Sequence, residues 1–522
     1  MIKTRLFLPV LAAVAAIAVA GCGSSSSDSS SSDVAGFAPP GSLVFVEGKL
    51  KPTGSVKSNV DSLAQTIAGV DNLGELIVTE LESSAEDDGE PFDYAKEVEP
   101  WLGEKAGVAF KGLEDGDLTD PVIAIETTDA DATQEFIDNQ SRQGSDPYKD
   151  ASYEGIDFKV GGSDGNAIGI VGDSLLIAEG EAGFKEAVDA SQGESLADEA
   201  RFTDAISAAS DGSLADAYVD VGGLIDQSSG DGIDPQAQEI LQSAGIDPSE
   251  ATAVASVVPE SDQIEIDLSS DLAGEEAPSG DVSELLGTLP ADSFAAFAVS
   301  GFGDQLEEAI DSLDASGVPD SGIPAHQLKS TLSAAGIDLD KIAASLDDAA
   351  VFAQGNSENS LGGALVMTSN SDEAAKTIAN IGVLLRSTQT PGVTAVTSSG
   401  ASGFSIRSPE LGDKPLVVVS KGDRVAIGYG LPPALEGLAA GEGETLSDSS
   451  TYKAAVSSLG STPISAFVDG PAALHLAEAL VPPSETEFQE AKPYLKKVSY
   501  IGIGTGTDGD LATAKLIVGV GK

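Results

Sequence analysis

Gly172-Asp173-Ser174-Leu175-Leu176-Ile177 is followed by Gly193-Glu194-Ser195-Leu196-Ala197-Asp198, then by Phe202 and Ala205-Ile206. The same series returns as Gly422-Asp423-Arg424-Val425-Ala426-Ile427, Gly443-Glu444-Thr445-Leu446-Ser447-Asp448, Tyr452 and Ala455-Val456. The offset is 250 residues throughout, with no gap. Working outward, Ala217-Tyr218-Val219-Asp220 answers to Ala466-Phe467-Val468-Asp469, and Asp93-Tyr94-Ala95-Lys96 to Asp338-Leu339-Asp340-Lys341. The openings correspond too, Pro40-Gly41-Ser42-Leu43 with Pro290-Ala291-Asp292-Ser293-Phe294. Order and spacing kept over this length indicate an internal duplication. The reading is two homologous tandem halves, residues 37–272 and 281–522, with residues 273–280 as the join.

Each half alternates strands and helices. Residues 43–46, 107–110 and 122–125 read as strands, and 56–68 and 132–138 carry apolar residues at helical spacing. Pro100-Trp101-Leu102 reads as the close of another helix. Residues 156–160, 167–171 and 175–178 form hairpins around glycine-rich turns. Helices are expected at 184–190 and 200–209, a strand at 215–219, and a final hairpin at 253–258 and 263–268. Residues 500–504 and 511–518 make the matching hairpin of the second half. Strands joined by short turns are antiparallel, so the expected class is α+β: in each half a mainly antiparallel sheet with helices packed on it, on one face.

The N-terminus is of another kind. Met1-Ile2-Lys3-Thr4-Arg5 precedes an apolar run over residues 6–20. Two positive charges ahead of a short apolar stretch read as a secretory signal peptide, residues 1–21. A spanning helix needs roughly 20 apolar residues. The run ends Val19-Ala20-Gly21-Cys22, which resembles a bacterial lipobox. That resemblance implies cleavage before Cys22 and a diacylglycerol on its sulfur, the thiolate being the nucleophile. Cys22 is the only cysteine in 522 residues, so no intramolecular disulfide forms. The serine-rich segment that follows cannot bury apolar surface, and residues 22–36 read as a lipidated tether. The expected location is extracytoplasmic, at the outer face of the cytoplasmic membrane.

Acidic residues number 85 and basic residues 27, for a formal net charge of −58. Phosphate backbones require basic patches, so nucleic acid is excluded as a partner. The acid reads as a solvated surface that opposes aggregation rather than as a cation store. Hydrophobic content of 41% is too high for disorder along the whole chain.

Three stretches carry a resemblance to a family. They are Pro40-Gly41-Ser42-Leu43-Val44-Phe45-Val46-Glu47, then Tyr94-Ala95-Lys96-Glu97-Val98-Glu99-Pro100-Trp101-Leu102-Gly103, then Gly183-Phe184-Lys185-Glu186-Ala187-Val188-Asp189-Ala190 running on to Phe202. The chain resembles an uncharacterised bacterial family, domain of unknown function 3352 (DUF3352), with exported and lipid-anchored members. The resemblance covers most of the mature chain and implies no activity or binding residues.

Several motifs imitate chemistry. Gly504-Thr505-Gly506-Thr507-Asp508-Gly509 fits a dinucleotide fingerprint, which works only where a helix follows; a strand is expected instead. Gly161-Gly162-Ser163-Asp164-Gly165 fits a nucleophile elbow, which needs a strand-to-helix turn and a histidine base. The only histidines, His326 and His475, lie in the second half, in a loop and in a helix over residues 471–480. Two histidines and a lipidated cysteine do not make a usual zinc site. Asp129-Ala130-Asp131 and Glu114-Asp115-Gly116-Asp117 lack the continuation of a calcium loop and read as solvated turns. Trp101 reads as core at a helix end, and Asp220 and Asp469 as N-caps.

No catalytic residue, cofactor or metal is expected, and the chain reads as a non-enzyme. The function expected is that of a membrane-anchored lipoprotein that binds or scaffolds an unknown envelope protein or a small ligand. Alternatives are the solute-binding lipoprotein of a transporter and an envelope hydrolase using carboxylates.

Overall fold

The computed structural model describes residues 33–71, 74, 78, 93–114, 116–142, 148–161, 165–228, 251–271, 280–316, 326–334, 336–370, 372–509 and 511–521. Two compact units divide the chain, Met1–Ala277 together with Thr507–Ala514, and Pro278–Gly506 together with Lys515–Gly521. Among the described residues no helix is long and apolar enough to cross a membrane. The class is α+β.

The first unit has strands β1 (Val44–Lys49), β2 (Leu102–Glu114), β3 (Asp117–Thr127), β4 (Lys149–Tyr153), β5 (Ile156–Val160), β6 (Asn166–Val171), β7 (Ser174–Glu179), β8 (Ala215–Asp220), β9 (Thr252–Pro259) and β10 (Gln263–Ser270). Their order is β10-β9-β8-β1-β2-β3-β7-β6-β5-β4, antiparallel at every pairing. The second unit has β11 (Ser293–Val299), β12 (Leu346–Gln354), β13 (Gly362–Ser369), β14 (Val393–Ser398), β15 (Ala401–Ile406), β16 (Leu416–Lys421), β17 (Arg424–Tyr429), β18 (Ile464–Asp469) and β19 (Val498–Asp508). A last strand, β20 (Leu511–Val520), is bonded to β19. From β19 the antiparallel order is β19-β18-β11-β12-β13-β17-β16-β15-β14. Adding ten to each label of the first sheet gives the second.

Local chemistry repeats with the topology. Gly172 and Gly422 open the two-residue turns between β6 and β7 and between β16 and β17, at φ 59° and 61°. A side chain is disfavoured there, and a hairpin of this length needs a positive φ at that position. The Asp198 carboxylate accepts from the Ser195 backbone N–H at 3.0 Å and hydroxyl at 2.9 Å; Asp448 accepts from Thr445 at 3.0 and 3.2 Å. These bonds hold both carboxyl groups below the usual aspartate range. Beside them Leu196 and Leu446 are fully buried. Their N–H groups donate to Ala38 O at 3.0 Å and Leu289 O at 2.8 Å, fixing the chain where it enters each sheet.

Helices cover both faces of the sheets, not the single face expected. In β3, Val122 and Ala124 join one core with Phe184 and Phe202, while Ile123 and Ile125 join another with Trp101 and Ile137. The helices Gly180–Gln192 and Ala200–Ile206 close the first face, and Ala130–Gln140 the second. The sequence of β7, Ser-Leu-Leu-Ile-Ala-Glu, does not alternate and is buried at five successive positions. Such a run belongs to a strand covered on both sides. In the second unit Ala364 and Val366 of β13 face one core and Met367 another, the latter packed by helix Glu373–Ser387.

The structure departs from the expected boundaries at two points. Asp33–Phe37 is a 3-10 helix whose Val34 and Ala35 are 3% and 0% exposed against Phe45 and Phe184, so these two residues belong to the first core and not to the tether. The apolar side chains of Val34 and Ala35 supply the burial that serine lacks. Thr507–Ala514, read as part of the second half, falls with the first unit. Most of the join, 273–279, lies outside the described residues, as do the signal peptide, Cys22 and the tether up to residue 32.

The charge imbalance has a measurable consequence. Raising NaCl from about 10 mM to about 0.5 M is expected to raise the melting temperature, because screening weakens self-repulsion. A fall with salt would mean that ion pairs such as Lys159 with Asp150 (2.9 Å) and Asp138 (3.5 Å) outweigh it.

Candidate functional site

The residues that imitate catalytic motifs are accounted for by backbone structure. Residues 504–508 continue β19, and β20 follows where a nucleotide fingerprint would need a helix. Gly161 and Gly165 flank the β5–β6 hairpin, closed by Gly161 N–H on Asn166 O at 2.7 Å, with residues 162–164 outside the described set. An antiparallel hairpin offers no strand-to-helix elbow. His475 is exposed on the helix Gly470–Leu480, and His326 is exposed at φ 61° with its N–H on Asp314 O. Among the described residues no group of three or more His, Cys, Asp or Glu could hold a metal ion.

The acidic candidates are helix and turn devices. Asp129 caps the helix Ala130–Gln140, accepting from Ala132 N–H at 3.0 Å, and Asp131 lies in its first turn. Glu114 pairs with Asp117 across the β2–β3 turn, where Gly116 has φ 86°; Asp115 lies outside the described residues. Asp220 and Asp469 accept from Gly223 N–H and Ala472 N–H, both at 2.9 Å, at the starts of equivalent helices. Asp220 also pairs with Arg201 at 2.9 Å. Trp101 is 2% exposed just after the helix Tyr94–Glu97, and its Nε1 donates to Glu97 O at 2.6 Å.

Two cavities differ in how their cations are neutralised. One, of about 290 Å³ in the first unit, is lined by Arg201, Asp204, Thr252 and Asp271. Its arginine is taken by Asp220, and Asp271 is taken by Thr252, whose Oγ1 donates to it at 3.1 Å.

The other, of about 490 Å³, lies in the second unit, where β12, β15, β16 and β17 end near one another. Val396, Val417, Leu431, Pro432 and Pro433 give it an apolar wall, and Tyr429, 37% exposed, adds a ring. Arg407 and Lys414 bring two cations and Asp413 one carboxylate. Arg407 follows β15, with its N–H on Gly392 O at 3.0 Å. Gly392 has φ 77°, and a Cβ there would come within 2.0 Å of Arg407 O, so this seat requires glycine. The Arg407 guanidinium donates to Asp413 O at 3.2 Å. Lys414 Nζ donates to Leu361 O at 2.5 Å and stands 5.9 Å from the Tyr429 ring centroid. Both cations are thus held by backbone carbonyls, and neither forms an ion pair among the described residues. No local motif announces this site, since its residues come from four strand ends.

Of the curated proteins, none matches this chain. A solved structure, crystal form I of TP0453, aligns over 79% of this chain and 98% of its own, at 9% identity and a TM-score of 0.17. The family described as Protein of unknown function (DUF3352) matches residues 11–516, nearly the whole length, and the chain belongs to it.

Proposed function

We propose that this protein is an extracytoplasmic lipoprotein, held at the outer face of a bacterial cytoplasmic membrane by a lipid on Cys22, with a non-enzymatic binding role at the envelope. The observation that carries the reading is the N-terminal series: Lys3 and Arg5, an apolar run, then Val19-Ala20-Gly21 ahead of the only cysteine in the chain. Two acyl chains anchor stably where one binds only marginally. The two halves descend from a duplicated unit in this reading, supported by the 250-residue offset and by matching strand orders, turns and capping carboxylates. The 490 Å³ cavity, with Arg407 and Lys414 beside an apolar wall, supports small-ligand binding. Delivery to a transporter is the second reading, favoured by the same cavity. The antiparallel sheets differ from the parallel lobes expected of such proteins.

Membrane fractionation tests the anchor. Wild type is expected in the membrane fraction, with an N-terminal peptide that begins at Cys22 and carries acyl mass. Cys22→Ala is expected in the soluble fraction. Equal retention of both on the membrane would overturn the reading. Crosslinked capture from membranes, with Cys22→Ala as control, then identifies an envelope partner.

A further inference from the structure

We propose that the cavity of the second unit binds a small organic monoanion, an apolar body bearing one carboxylate, with Arg407 and Lys414 as the groups that recognise the charge. The proposal deepens the binding role above by naming a ligand class, and rests on it. Other cations, such as Lys49 and Lys51, are also held by backbone carbonyls; what sets Arg407 and Lys414 apart is that both line one cavity beside an apolar wall. Each is fixed by a backbone carbonyl, which orients the charge. Asp413, also in the lining, offsets one of the two. The remaining single positive charge suits a monoanion better than a dianion, and a neutral or cationic ligand least. Charge-assisted bonds from guanidinium and ammonium are the strong ones, and a planar fork matches a carboxylate.

The rest of the lining selects the body of the ligand. Tyr429, Leu431, Pro432 and Pro433 form a rigid apolar surface beside the cations, and a mostly apolar wall with a few placed polar groups is how small-molecule sites are built. The first unit lacks this surface at the equivalent point. Tyr429 pairs with Leu416 as Glu179 pairs with Asn166, so the place of the ring is held there by an acid. Among the described residues the aromatic part of the lining is thus particular to the second unit.

The test uses the mature chain carrying Cys22→Ala, so that its outcome is independent of anchoring. Titration calorimetry compares 3-phenylpropanoate with 3-phenylpropan-1-ol and 3-phenylpropan-1-amine, which share one body and differ in charge. Saturable binding of the acid is expected, with the alcohol at least tenfold weaker and the amine weaker still. Arg407→Gln and Lys414→Gln are each expected to weaken the acid about tenfold at unchanged melting temperature, and Arg407→Glu to reverse the order of acid and amine. Equal affinity for acid and alcohol, binding unaltered in both glutamine variants, or no saturable binding of the acid would overturn the proposal. None of these results bears on where the protein is held, which fractionation decides.

Discussion

Trp101→Ala is expected to destabilise the first unit by about 3–5 kcal/mol, the range for deleting a large buried aromatic. The side chain is 2% exposed and packs against Phe136 at a centroid distance of 5.2 Å, in a core shared with Leu50, Val108, Ile125 and Ile137. Alanine would leave a void and strip Glu97 O of the donor now at 2.6 Å. Trp101→Phe keeps much of the volume and loses the hydrogen bond, so a smaller cost is expected, near the 1–3 kcal/mol of an unmet buried polar group. Chemical denaturation followed by circular dichroism measures both. A loss below about 1 kcal/mol for alanine would contradict the packing described. Because Trp101 is the only tryptophan, wild-type fluorescence reports the first unit alone, and circular dichroism reports both. Non-coincident curves from the two probes would reveal units that unfold separately.

Alkaline solution should unfold the protein through two buried phenols. Burial pushes Tyr218 and Tyr452 up to about 12, against an unfolded value near 10. A folded pKa above the unfolded one means that the fold favours the protonated phenol. That contribution is present in full below pH about 10 and is lost as pH rises through about 12. Each ring meets an aromatic partner edge-on: Tyr218 with Phe202 at 5.1 Å, Tyr452 with Phe467 at 5.3 Å. The hydroxyl sits on the strand in the first unit and on the helix in the second. Phenylalanine fits the same kind of contact at either place. The Tyr218→Phe/Tyr452→Phe double variant is therefore expected to fold normally at pH 7 and to lose less melting temperature than wild type between pH 10 and about 12. Tyr94, also raised by burial, leaves a residual effect in both proteins. Identical profiles for variant and wild type would sink the argument.

The elements that could be read in sequence were those whose side chains alternate or repeat strongly. Residues 156–160 coincide with β5, and the hairpin expected at 253–268 is β9 with β10, each strand longer by a residue or two at its ends. Trp101 lies in a turn rather than in the helix it follows, because that helix ends at Glu97 and Leu102 already opens β2. Strand β4, Lys-Asp-Ala-Ser-Tyr, carries only a weak signal, since Ala151 and Tyr153 alone mark its core side; pairing with β5 makes it a strand. Two-sided coverage of the sheets was legible in the unbroken apolar run of β7, though a one-sided sheet is the commoner partner of short turns. The cavity was not legible. Arg407, Lys414 and Tyr429 stand apart along the chain, and only the return of β16 and β17 beside β15 brings them to one place.

The outer strands of the two sheets also bear on the lipid anchor proposed above. Molecules held in a plane meet one another at far higher local concentration than molecules free in solution. An open strand edge is then a template for joining neighbours into fibres. In the first sheet the last strand, β4, is five residues long and carries Lys149 and Asp150, both exposed. In the second, β14 presents Thr394, Ala395 and Thr397 to water, with valines only partly exposed between them. Short, polar borders of this kind give a neighbouring molecule little to add to, so molecules crowded together by the proposed anchor would stay separate.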